Sequence, residues 1–224
     1  MSADRAMKRV DQFSSALLYA AENGFDEVVE AMMEKGGAYV NWSDKDGETP
    51  LYMAAKNGHA VVVEMLLRRK EVLVNVTNVD GATPLIAAAL KGHVETVEVL
   101  LQREDIDVNV ACKDGATPLL LAAQNGHGKA VEALLKKDGI DVNKSSQNGA
   151  TPLSRAELNG HEKVVNLLLA DQMNAALKGK KKPLATKVDK VSKLSLFAPK
   201  YPVIVHYYET LIITCRYEIV KILN

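Results

Sequence analysis

The sequence predicts an all-α solenoid of about five helix-turn-helix units with short β-turn tips, followed by an irregular C-terminal extension. Three observations carry this expectation. Thr-Pro-Leu begins at Thr49, Thr83, Thr117 and Thr151, each 34 residues after the last. Gly-His closes the following segment at His59, His93, His127 and His161, and Val-Asn closes each unit at Asn41, Asn75, Asn109 and Asn143. Three markers in one register define a repeat, and a repeat of this length stacks because no unit can bury its apolar face alone.

One unit, Asp80 to Asn109, shows how each element arises. Asp80-Gly81 suits a tight turn. Thr83 can cap a helix through its hydroxyl, and Pro84 fits the first helical position, where its missing N–H costs nothing. The first helix, Pro84 to Lys91, is alanine-rich, which permits close packing between units. Gly92 is placed to stop it in the left-handed conformation. A second helix, about Val94 to Arg103, puts Val97, Leu100 and Leu101 on one stripe. Asp107-Val108-Asn109 leads back to the next turn.

These residues resemble the ankyrin repeat, with its Asp-Gly-x-Thr-Pro-Leu, Ala-Ala, Asn-Gly-His and Val-Val-x-Leu-Leu segments. The resemblance covers about residues 13–172. The period of 34 exceeds the family's usual 33, and the extra residue falls between the second helix and Val-Asn, as at Arg103 to Asp107. The family often has His after Thr-Pro-Leu, helping to link units. Here Tyr52, Ile86, Leu120 and Ser154 stand there, so that network is expected to be weaker or replaced by apolar contact. In the first unit Ser15-Ala16-Leu17 replaces Thr-Pro-Leu and Asn23-Gly24-Phe25 replaces Asn-Gly-His, which suits a degenerate N-terminal cap over Gln12 to Gly37. The fifth unit, Asn148 to Ala170, keeps both helices, and the pattern fails after Gln172. The expected divisions are a tail at 1–12, the repeats at 13–172, a basic linker at 173–200 and an extension with a terminal helix at 201–224.

Apolar residues make up 47% of the chain and aromatics 5%, so the core must be aliphatic. The net charge of zero hides an asymmetry. Of 28 basic and 28 acidic side chains, ten and three fall in residues 173–224, leaving 18 and 25 in residues 1–172. Cys112 and Cys215 are too few for a disulfide framework or a four-thiolate zinc site, which suggests a reduced, intracellular chain. Met1 to Asp11 is charged without an apolar run, so no signal peptide is expected. No apolar stretch approaches the roughly 20 residues of a membrane span.

The evenly spaced histidines do not suit a metal site. Units about 10 Å apart cannot converge their single histidines on one ion with bonds of about 2 Å. The resemblance implies instead that each His holds a turn by hydrogen bonds. No nucleophile elbow, phosphate loop or dinucleotide fingerprint is present. The expectation is therefore no enzyme, no cofactor and no metal. Leu101 to Asn109 and Leu135 to Asn143 also resemble the pattern at which asparagines of ankyrin repeats are hydroxylated, although a turn-stabilising role accounts for the asparagines.

The resemblance implies a protein-binding module whose contacts come from the turn tips and the exposed side of the first helices. Carried over by position, the tips offer Trp42, Ser43, Lys45, Asp46 and Glu48; Thr77, Val79, Asp80 and Ala82; Ala111, Lys113, Asp114 and Ala116; and Ser145, Gln147, Asn148 and Ala150. The helices add Tyr52, Lys56 and Asn57; Leu90 and Lys91; Gln124 and Asn125; and Leu158 and Asn159. Trp42 is either a hot spot or a filler against the N-terminal cap. The tips are small, polar and of mixed charge, which points to a protein partner and a monomeric, cytoplasmic adaptor without membrane contact.

The tail leaves alternatives open. Lys178 to Pro183 reads as a solvated linker, a nuclear-import signal or a phosphate-binding patch. Pro202 to Tyr208 reads as extended and Thr210 to Leu223 as a helix resembling an eroded repeat, which either caps the fifth unit or binds a partner. A different class of function follows from the tail, that of a nuclear or nucleic-acid-associated regulator. A third reading, a remnant or fragment, rests on the eroded repeat before Asn224.

Overall fold

The computed structural model describes residues 3–35 and 39–178 of the 224-residue chain, with side chains described for 12–34 and 39–175. The readings made for Gly179 to Asn224, including the terminal helix and Cys215, lie outside the described residues. The chain divides into two compact units, residues 1–167 and 168–224. The described part of the second is the end of one helix.

Ten helices and no strand occur among the described residues. They are α1 (Ala3–Asn23), α2 (Asp26–Lys35), α3 (Pro50–Asn57), α4 (Ala60–Leu67) and α5 (Pro84–Lys91), then α6 (Val94–Leu101), α7 (Pro118–Gln124), α8 (Gly128–Leu135), α9 (Pro152–Leu158) and α10 (Glu162–Lys178). Odd-numbered helices form one row, α1 against α3, α3 against α5, α5 against α7 and α7 against α9. The second helices α2, α4, α6 and α8 form a parallel row behind it. This is the stacked arrangement that the period predicts.

Helices of seven or eight residues are marginal alone, so their ends must be fixed locally. Thr49, Thr83, Thr117 and Thr151 accept hydrogen bonds from the backbone N–H groups of Tyr52, Ile86, Leu120 and Ser154, at 3.2–3.3 Å. Proline follows each of these caps. In α9 the Ser154 hydroxyl returns the bond to the Thr151 N–H, completing a capping box. The core between the rows is aliphatic: Leu17, Leu51, Leu85, Leu119, Val63, Val97, Val131 and Leu134 are each at most 1% exposed.

Three polar devices link successive units. The first is the histidine. Its Nε2–H donates to a carbonyl of the preceding unit, from His59 to Glu22 (2.9 Å), His93 to Lys56 (3.1 Å), His127 to Leu90 (3.0 Å) and His161 to Gln124 (2.9 Å). A carbonyl only accepts, so each ring carries its proton on Nε2. The second device is the asparagine of Val-Asn. Asn75 Nδ2 donates to Asp105 O (2.7 Å) while its Oδ1 accepts from Asp107 N–H (2.9 Å). Asn41 makes the same pair of bonds with Glu71 and Leu73, and Asn109 with Gly139 and Asp141.

The third device is a cation after α4, α6 and α8. Arg69 donates to Met33 O (2.6 Å), Arg103 to Leu67 O (3.3 Å) and Lys137 to Leu101 O (2.7 Å). Each places positive charge on the carbonyl end of the preceding second helix, where the helix dipole favours it. The turn tips join as well: Val79, Lys113 and Gln147 donate their N–H to the carbonyls of Asp46, Asp80 and Asp114, at 2.8–2.9 Å. At the position after Thr-Pro-Leu, Tyr52, Ile86 and Leu120 are buried, whereas Ser154 in the last unit is exposed. At the first three of these positions apolar burial stands where the family has its second histidine, and the polar linkage between units is carried by the other residues named above.

The elements at the ends of the series are longer than the sequence reading placed them. Helix α1 starts at Ala3, within the stretch read as a tail, and α10 runs past Gln172 to Lys178. No Gly or Pro interrupts Glu162 to Lys178, and Asp171 occupies the register of Arg69, Arg103 and Lys137, so neither the stop signal nor the linking cation recurs.

Candidate functional site

The first helices of the second to fourth repeats and the turn tips of the third and fourth border an open groove of about 440 Å³. Two features of the fold produce it. Ala87 on α5 leaves little side-chain volume on that side, and the tips project past the helix starts because each is held as a tight turn. In the third repeat, Asn78 Oδ1 accepts from Asp80 N–H (3.0 Å) and Ala82 N–H (2.9 Å), and Gly81 N–H donates to Asn78 O (3.0 Å). The floor is apolar, with Ile86, Ala87 and Leu121, and the rim carries Lys56, Asp80, Lys91, Lys113 and Asp114.

One end of the groove is organised around Tyr52. Its ring is 7% exposed, its hydroxyl accepts from Asn78 Nδ2 (3.1 Å), and Lys56 Nζ lies 5.7 Å from the ring centroid. Lys56 also pairs with Glu48 at 2.9 Å. Burial, with the nearby charges of Glu48, Cys112 and Asp80, pushes the Tyr52 pKa up to about 12. A raised folded-state pKa stabilises the fold fully below the unfolded value of about 10, and that contribution is lost as pH climbs from there toward 12. Spectroscopic titration of tyrosinate should find Tyr52 ionising near 12. A phenol assigned to Tyr52 by its Phe variant that ionises near 10 would contradict its burial. Burial, then Asp114, also raises the Cys112 thiol, so it is protonated at neutral pH and is no activated nucleophile.

Of the residues singled out from sequence, Tyr52, Lys56, Asp80, Ala82, Leu90, Lys91, Lys113, Asp114 and Ala116 line the groove. Tyr52 needs correcting as an exposed contact, because it is a buried wall. Trp42 is partly buried and Glu48 is tied to Lys56; neither lines the groove. Ser43, Lys45, Asp46, Thr77, Val79, Ser145, Gln147 and Asn148 are exposed at the tips, with Ala111 half-buried. Leu158 is exposed, Gln124 half-buried. Asn57, Asn125 and Asn159 are exposed residues whose amides are occupied by the carbonyls of Met53, Leu121 and Gln124. The sequence reading missed the lining residues Asn78, Ile86, Ala87, Cys112 and Leu121. The 34-residue register held the signal, since Ala87 and Leu121 repeat the position of Met53, next to the Tyr52 that was chosen.

No group of three or more His, Cys, Asp or Glu side chains among the described residues could hold a metal ion. Each of the four histidines among the described residues is instead bonded to a carbonyl of the preceding unit. No described helix is long and apolar enough to cross a membrane.

A stack of paired short helices with projecting turns and a groove on the first-helix side defines a helical repeat protein. A family model described as "Ankyrin repeats (3 copies)" matches residues 17–112, 70–146 and 106–179, and the chain belongs to the ankyrin repeat family. Members of this family are generally protein–protein interaction modules and typically not enzymes. Among curated proteins none matches the chain.

Proposed function

We propose that this chain is an adaptor that binds a protein partner through the groove formed by the first helices and turn tips. The observation that carries the reading is the combination at one place of an apolar floor, Ile86, Ala87 and Leu121, with a charged rim. Apolar floors with a few placed polar groups are the usual make-up of recognition sites. The backbone beneath is held by capped helices and interunit hydrogen bonds, so little order has to be imposed when a partner binds. The mixed signs of the rim suit a protein better than a phosphate backbone. The setting we infer is cytoplasmic or nuclear.

Peptides selected from a random displayed library on the full-length chain test this reading. Binding should be lost in the variant Leu90→Glu, Lys91→Glu, Lys113→Glu, all exposed positions, and kept in Glu98→Lys on the second-helix row. Equal binding to the triple variant and the native chain would remove the groove as the site.

A further inference from the structure

The first unit leaves open a surface that the later units cover. Val28 is 47% exposed, whereas its equivalents in the repeat register, Val62, Thr96, Ala130 and Val164, are each at most 1% exposed. Ala16 is exposed, whereas Pro50, Pro84, Pro118 and Pro152 at its place are buried. Phe25 stands where His59, His93, His127 and His161 reach back to the preceding unit, and it is half-exposed. Its ring meets that of the exposed Tyr19 edge to face, with centroids 6.3 Å apart. Apolar and aromatic side chains gathered in the open mark a surface built for contact.

The later units and the local charge together say what fits there. In those units the equivalent surface is covered by helices, α2 on α4, α4 on α6 and α6 on α8 in the second row, and α1 on α3 in the first. The side chains described for the first unit, residues 12–34, include the carboxylates Glu22, Asp26, Glu27, Glu30 and Glu34, and no Lys, Arg or His. None of these carboxylates is in an ion pair among the described residues. Asp26 and Glu27 suit the start of α2, but Glu34 falls in its last turn, where the helix dipole disfavours a negative charge. Glu27, Glu30 and Glu34 are exposed and, at spacings of three and four, form one stripe beside Val28. A second copy presenting the same face would set carboxylate against carboxylate, so the complementary occupant is cationic.

We propose that this face is a second docking surface, separate from the groove, and that it takes a basic amphipathic helix of a partner protein. The helix lays its apolar stripe over Ala16, Phe25 and Val28, in the manner of a preceding unit, and sets its lysines or arginines along Glu27, Glu30 and Glu34.

A displayed library of helices tests this, with a fixed leucine stripe and the remaining positions randomised between Lys and Glu. Helices selected on the full-length chain should be rich in Lys. For such a helix, Phe25→Ser with Val28→Gln should weaken binding about tenfold or more. Glu27→Lys with Glu30→Lys should do so about tenfold and remove most of the salt dependence. All four positions are exposed, and replacing the helix's lysines by Gln repeats the charge test on the untouched native chain. The groove variant Leu90→Glu, Lys91→Glu, Lys113→Glu should bind the helix as the native chain does, so failure here and failure of the groove are distinguishable. Selection of Glu-rich helices, indifference to both face variants, or no captured helix at all would overturn the proposal. So would a native dimer that Phe25→Ser with Val28→Gln dissociates, which would give the face to a second copy.

Discussion

Gly92→Ala is expected to destabilise the protein by about 3 kcal/mol or more, against about 1 kcal/mol for Gly160→Ala. The two glycines hold the same place in their units and nearly the same backbone, φ 74° and 72°. A Cβ on either meets the same left-handed penalty. They differ in what lies outside. A Cβ at Gly92 would stand 2.5 Å from His127 Nδ1 and 2.6 Å from Cγ, whereas nothing lies within 4 Å of one at Gly160. Because Cγ is at the base of the ring, turning the ring about its own axis gives no relief. The side chain must swing away, which breaks its hydrogen bond to Leu90 O and opens the packing between units. Denaturant unfolding of the two variants measures the difference, and equal losses would contradict the contact.

Leu85→Ala should cost about 2–5 kcal/mol, and Leu158→Ala under about 0.5 kcal/mol. Both leucines belong to first helices. Leu85 is inaccessible to solvent near the start of α5, between the rows, while Leu158 is 74% exposed at the end of α9. Removing the first leaves a cavity that neighbouring helices pinned by their caps cannot fill. A small loss at Leu85, measured by the same unfolding experiment, would mean that the aliphatic spine is looser than the structure shows.

The first helix of a unit was legible to the residue, because Thr83, Pro84 and Gly92 each act locally. Its partner α6 was placed with an end two residues late: Arg103 extends the apolar pattern's charge edge, but its guanidinium leaves the helix to reach Leu67 O. That interunit role was visible only as a basic residue recurring at Arg69, Arg103 and Lys137, a regularity that reads equally well as solvated surface. The asparagines were read as stabilising their own turns, yet both side-chain partners of Asn75, Asp105 and Asp107, lie in the next unit, beyond any local rule. The groove was half legible. Exposed positions followed from the repeat register, but Tyr52 was misjudged because its packing against the core around Ile86 is a property of two units together.

A double-mutant cycle on Gly92 and His127 tests most directly the claim that each unit is held by the next. In the native background Gly92→Ala should lose about 3 kcal/mol or more, and with His127→Ala already in place the same change should lose only about 1 kcal/mol, the backbone cost that remains. An unchanged cost in both backgrounds would show that the glycine serves its own helix alone and that the histidine does not lock adjacent repeats together.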